Sequence, residues 1–300
     1  MPMNQPHANV YYVPHKSRWP IFITFGMFMF MVGAATWLNG YERPGQIVLA
    51  VGALTIIGMM FGWFGNVIGE SIKGTFNSQV DTSFRMGMMW FIMSEVFFFA
   101  AFFGGLFYIR TAVVPLLGGS EQGVGLLNGA QLATNHYLWP GFSSAWPTNG
   151  PEAVGGSFVT TSPWGIPLIN TLLLLSSSVT VTIAHHALRG GNRKRLIGFL
   201  GVTILLGALF LCGQAIEYWE SYVHLNMTLH SGIYGATFYI LTGFHCLHVT
   251  LGTIMLCVMW LRCVRGHFTR ENHFGFEAVA WYWHFVDVVW LCLFLFVYIL

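Results

Sequence analysis

Charge is what this chain has least of. Asp, Glu, Lys and Arg together make up 8% of its 300 residues, against roughly 25% in a soluble globular domain. So few charges cannot cover a water-facing surface, which excludes an ordinary soluble enzyme or binding module. With 55% hydrophobic residues and a mean hydropathy of +0.62, the composition is that of an integral membrane protein. A domain count taken from length does not apply to such a chain. The net charge of +2 gives no reason to expect nucleic acid.

Several motifs are also missing. The five cysteines, Cys212, Cys246, Cys257, Cys263 and Cys292, form no C-x-x-C. No disulfide framework or thiolate metal site is expected, and cysteines inside apolar spans are read as small fillers. There is no Gly-rich phosphate loop, no H-E-x-x-H and no serine nucleophile motif. Heptads, solenoid periods and low-complexity tracts are absent as well.

What the chain does have is long apolar runs. A helix needs about 20 apolar residues to cross the hydrocarbon core. Seven segments meet this, at about 19–38, 46–69, 86–109, 164–188, 196–219, 232–262 and 277–300. Lys16 and Arg18 precede the first run, as in a signal peptide. That run is too long for a signal core, so it is read as a retained first span. In the second span, Gly58-x-x-x-Gly62 and Gly65-x-x-x-Gly69 predict tight packing against a neighbour.

Seven spans put the termini on opposite sides. Eleven of the thirteen Lys and Arg residues fall on the N-terminal side, leaving Arg43 and Arg110 on the other. By the positive-inside rule the N-terminus is inside and the C-terminus outside. The division expected is a two-helix arm over 1–69, an inner linker over 70–85 and a five-helix bundle over 86–300. The bundle carries a long outer loop at 110–163. A loop this long, rich in Gly and Pro, is either a docking or covering element or partly disordered. Trp139, Trp146 and Trp164 near its later part favour a segment lying on the membrane interface or on a partner.

Few polar residues lie at membrane depth. Glu95, in MSEVFFFAAFF, is nine residues past Met86, about 14 Å into the membrane. An unpaired ionised carboxylate there costs several kcal/mol, so Glu95 is expected to be protonated or hydrogen-bonded. It reads either as a proton-relay or lipid-sensing acid, or as a neutral acid bonded to another helix. His245 and His248 lie at i, i+3 in the sixth span. Glu277, Trp281, His284 and Asp287 fall close to one face of the seventh, as a polar line about 15 Å deep. This line reads as a helix–helix lock or a proton path, with Asp287 and His284 pairing with each other or with His245 and His248. A bis-histidine haem would need two histidines at similar depth on facing helices, with His245 and His284 as candidates.

Two basic connections, ALRGGNRKRL and LRCVRGHFTRENHF, lie at the inner surface. There each basic residue adds about 1 kcal/mol of attraction to anionic lipid. Arg262, Arg265 and His267 have the spacing to hold one phosphate head group. Glu217 and Glu220, in QAIEYWESY, are expected at the outer water interface, solvated or paired.

Several of these stretches resemble subunit III of haem–copper cytochrome c oxidase. They are HFGFEAVAWYWHFVDVVWL (273–291), SGIYGATFYILTGFHCLHVTLGT (231–253), TIAHHALRGGNRKR (182–195), FIMSEVFFFAAFF (91–103) and PHKSRWPIFITFG (14–26). The resemblance covers nearly the whole chain. It implies an all-α polytopic fold of seven transmembrane helices arranged as a V, with helices 1–2 on one arm, 3–7 on the other and phospholipids in the cleft.

The resemblance further implies that this chain carries no metal and no catalytic residue. Haem a, haem a3 and the copper centres would lie in partner subunits, with subunit I in direct contact, subunit II nearby and cytochrome c as donor. The role implied is to sustain proton uptake into subunit I and to protect it from turnover inactivation. Trp63, Glu95, Arg262, Arg265 and His267 match the lipid-contacting positions. Mitochondrial members carry basic residues at the end of helix two, where WFGNVIGES (63–71) has Gly65 and Gly69, so a head-group contact there lacks its usual partner. The 110–163 loop is longer than in those members, which favours a bacterial plasma membrane. The alternatives are the equivalent subunit of a quinol oxidase, an independent seven-helix proton-coupled transporter with Glu95, His284 and Asp287 as its relay, and a haem-carrying electron-transfer protein.

Overall fold

A computed structural model describes Tyr12 and residues 17–119, 135–153 and 155–300. Lys16 and the 120–134 part of the outer loop lie outside these residues. The described chain is helical, without strands. Its seven long helices are each long and apolar enough to cross a membrane. In chain order they are α1 (Trp19–Leu38), α2 (Glu42–Ile72), α3 (Ser78–Tyr108), α4 (Ile166–Arg189), α5 (Arg193–Val223), α6 (Gly232–Arg265) and α7 (Phe274–Leu293). All five cysteines are free.

The helices run past the apolar segments that mark them. α2, α3 and α5 each have 31 residues, about 46 Å of helix against about 30 Å of hydrocarbon. Their polar ends remain helical because the head-group region solvates side chains while the helix satisfies its own backbone. The connection between α2 and α3 is therefore only 73–77, shorter than the polar 70–85 stretch suggests. Asn77 Oδ1 caps α3 by accepting from Val80 N–H at 3.0 Å. Asp81 and Arg85 pair one turn apart at 2.8 Å. Beyond Tyr108 the helix continues through a π-turn, Ile109–Val113, into Val114–Leu117. Pro115 has no N–H and crowds the preceding turn, which favours the wider spacing.

The described residues group into two compact units, one ending at Met86 and one running from Gly87 to Leu300. In the first, α1 and α2 form an antiparallel hairpin with touching backbones. A Cβ on Gly33 would lie 2.3 Å from Leu49 N, one on Gly45 2.4 Å from Trp37 N and one on Gly52 2.5 Å from Phe30 N. The close approach is thus made by Gly33, Gly45 and Gly52. Among the described residues, of the glycines expected to pack tightly, Gly62 meets the Trp19 ring, and Gly58, Gly65 and Gly69 meet nothing within 4 Å.

In the second unit, α4 packs on α5, α5 on α6, α6 on α7 and α7 back on α4. Trp283 is fully buried at the centre of this bundle. Its indole N–H donates to Ser177 Oγ on α4 at 2.9 Å. Gly207 on α5 and Gly252 on α6 make room for its ring: a Cβ at either would lie 2.8 or 2.9 Å from it. α3 approaches α6 through longer side chains, with Phe98 edge-on to Phe244 at 5.1 Å and Phe102 stacked on Phe244 at 5.4 Å.

The inner connections are knitted together by the basic residues. Arg193 donates to the Val264 carbonyl and Arg270 to the Gly190 carbonyl at 3.2 Å. Both acceptors lie at helix C-termini, where unpaired carbonyls favour cations. On the outer side, Arg110 donates to the Leu300 carbonyl at 2.7 Å and lies 5.3 Å over the Trp146 ring. Trp146 and Phe158 in turn pack on Tyr234, at 5.5 and 5.4 Å. These contacts pin the described part of the outer loop onto the end of α6.

Candidate functional site

The carboxyl of Glu95 on α3 meets a histidine of α6. His248 Nε2 lies 2.8 Å from Glu95 Oε2, and His248 Nδ1 lies 2.6 Å from the Phe244 carbonyl. A carbonyl only accepts, so Nδ1 carries a hydrogen and donates it. The Nε2 contact needs one further proton. Either the carboxylic acid donates to the ring, or an imidazolium donates to the carboxylate. In both states the pair as a unit has no net charge, which is how one acid sits among phenylalanines at low cost. The Phe99 edge, at 5.0 Å, and the Tyr282 ring, at 6.4 Å, enclose the imidazole.

The other polar residues of α6 and α7 make separate links. His245 is buried, and its Nε2–H donates across to the Val286 carbonyl of α7 at 3.1 Å. Phe210 and Trp290 pack on its ring. His284 turns to α4, with Nδ1 2.6 Å from Ser178 Oγ and Nε2 3.3 Å from Thr182 Oγ1. Asp287 is buried beside Ser178 and His284. His245, His248, His284 and Asp287 therefore do not form one ladder. They serve three junctions: α6–α3, α6–α7 and α7–α4. His245 and His284 are turned to different helices and make no bis-histidine pair.

The α4 partners were not singled out from the sequence. Thr171, Ser178, Thr182 and His185 follow one another at steps of seven, four and three, so they share a face. Thr171 accepts from the Trp290 indole at 2.9 Å. Ser178, Thr182 and His185 lie in SSSVTVTIAHH (176–186), whose polar stripe is the signal in the sequence.

Glu217 is paired rather than solvated. It is fully buried, and its Oε1 accepts from the Tyr298 hydroxyl at 2.7 Å. The side chain of Gln214 lies 3.4 Å from its other oxygen. Glu220, three residues on, is exposed. Helix phase, not depth, separates the two.

Among the residues matched to lipid contacts, Trp63 is exposed on α2. Arg262 is buried with its guanidinium 4.3 Å over the Phe268 ring. Arg265 is exposed and His267 partly buried. The two arginines thus face different surroundings. At the inner ends of α4 and α7, His185, His273 and Glu277 form a group able to hold a metal ion.

Seven apolar helices, with their buried polar groups tied across helix boundaries, define a polytopic helical membrane protein. The model of the family described as cytochrome c oxidase subunit III matches residues 9–133 and 141–300. Proteins named cytochrome c oxidase subunit 3 align end to end with this chain. That of Equus caballus is 39% identical over 296 residues, 98% of each chain. That of Prototheca wickerhamii is 37% identical over 289 residues, 96% of each. That of Gadus morhua is 38% identical over 292 residues, 97% of each. The chain belongs to the cytochrome c oxidase subunit III family. It is a multi-pass membrane subunit of a multi-subunit respiratory oxidoreductase.

Proposed function

We propose that this chain is the non-catalytic third subunit of a proton-pumping terminal oxidase that passes electrons from cytochrome c to oxygen. The observation that carries this reading is the family match along almost the whole chain. In this reading haem a, haem a3 and copper are held by partner subunits. The chain lies against subunit I in a bacterial plasma membrane and assists assembly, proton uptake and protection of subunit I. Cytochrome c is preferred to quinol as donor because the relatives carry its name.

Bound phospholipid is the agent of this support, with Trp63, Glu95, Arg262, Arg265 and His267 as its contacts. The neutral Glu95–His248 unit suits this role, because it presents a polar group in an apolar setting without a fixed charge. The basic residues at the inner end of α6 suit a phosphate head group.

The test is to purify the oxidase with and without this chain and follow both through many turnovers. Initial oxygen reduction is expected to be similar, with faster inactivation and slower proton uptake in the complex that lacks it. Equal lifetimes and equal proton uptake would contradict the supporting role.

A further inference from the structure

We propose that His185, His273 and Glu277 form a zinc-type divalent cation site that clamps the inner end of α4 to the first turn of α7. Glu277 Oε1 lies 3.4 Å from His185 Nε2 and 3.3 Å from His273 Nε2. Ligands about 2.05 Å from a zinc ion at tetrahedral angles lie ~3.3 Å from one another. Two edges of that tetrahedron are thus already in place, and the three ligating atoms all lie within 4.8 Å of each other.

The ring nitrogens support a cation over a proton as the shared partner. His185 Nε2 and His273 Nε2 are buried and make no hydrogen bond among the described residues, although each is close to the carboxylate oxygen. His273 Nδ1 is also buried without a partner. His273 is 6% exposed and Glu277 4%. Leaving ring nitrogens dry and unbonded is costly, and a bound cation would use both Nε2 lone pairs.

The scaffold is rigid. His273 is the N-cap residue of α7 and Glu277 lies in the first turn, four residues on, with their side chains 3.3 Å apart. The His273 carbonyl accepts from Phe276 N–H at 2.9 Å and Glu277 N–H at 3.2 Å, which fixes that turn. His185 comes from the last turns of α4. Two imidazoles, one carboxylate and a water make a donor set for a borderline ion such as zinc. Arg189 Nη2, 3.9 Å from Glu277 Oε1, is the competing cation. Its side chain is 61% exposed, so it can swing into solvent when a metal enters.

The test uses the purified oxidase complex, zinc ion as probe and diethyl pyrocarbonate labelling of histidines read by mass spectrometry. His186, adjacent and exposed, is the internal control. With free zinc at ten times its dissociation constant, labelling of His185 is expected to fall about tenfold, with His186 unchanged. Unchanged labelling of His185, or an equal fall at His186, would overturn the proposal. In a complex carrying His273→Gln and Glu277→Gln, zinc is expected to give His185 no protection, and persistent protection would also overturn it. Should that variant fail to assemble, the wild-type labelling decides alone.

Discussion

Glu95 and His248, 153 residues apart in sequence, join α3 to α6 through a 2.8 Å contact between carboxyl and imidazole. The Phe244 carbonyl fixes the tautomer of the ring, so the contact is made by one proton held between Glu95 and His248. This relationship makes Glu95 a structural acid first. A role toward lipid or proton delivery acts through a group already satisfied inside the subunit.

Replacing Glu95 by Ala leaves the His248 Nε2 without a partner. A buried donor or acceptor left unpaired costs about 1–3 kcal/mol. Glu95→Ala is expected to lower the thermal stability of this subunit in the complex, while Glu95→Gln, which can still donate to the ring, lowers it less. Oxygen reduction is expected to stay largely intact in both. Complete loss of turnover with the haems in place would contradict this.

Tyr298→Phe removes the hydroxyl that donates to the buried Glu217 at 2.7 Å. Gln214 alone, at 3.4 Å, is a weak substitute. The expected outcome is a loss of about 1–3 kcal/mol, read as a lower melting temperature in detergent. Glu220→Gln, at an exposed position, is expected to change it little.

Gly191→Ala tests the inner connection. Gly191 has φ +73, and a Cβ there would collide with the Arg270 guanidinium. A left-handed non-glycine residue costs about 1–2 kcal/mol, and displacing Arg270 removes its bond to Gly190. Faster proteolysis in the α4–α5 connection is the expected result. A cleavage pattern like that of wild type would show that Arg270 gives way freely.

Arg262→Ala combined with Arg265→Ala is expected to reduce the phospholipid that co-purifies with the complex. Arg262 is buried against Phe268, so Arg262→Ala alone should lower stability more than lipid content, and Arg265→Ala the reverse. Native mass spectrometry measures the lipid, and an unchanged count in the double variant removes the head-group contact from the account.

The sequence displayed the seven spans because hydropathy over 20 residues is a local property. Helix ends were less legible: polar residues such as Glu70 and Ser71 stay helical in the head-group region, so α2 outlasts its apolar run. The glycines that join α1 to α2 were not legible for a similar reason. Gly58 and Gly62 fit a familiar four-residue spacing, yet contact depends on which face meets α1, and the backbones meet at Gly33, Gly45 and Gly52. At the candidate site, the polar residues themselves stood out against an apolar background. Their partners did not, because pairing Glu95 with His248, or His284 with Ser178, is set by how distant helices dock. Glu217 shows the limit of reading by depth, since one helix phase buries it and another exposes Glu220.

The most direct test of the whole account is purification in mild detergent through a tag on this chain, with a reduced-minus-oxidised spectrum taken before and after the chain is stripped from its partners. The account predicts haem a bands in the intact preparation, cytochrome c oxidation by it, and no haem on the isolated chain. Haem retained by the isolated chain would contradict the assignment of this subunit as the non-catalytic member of the oxidase.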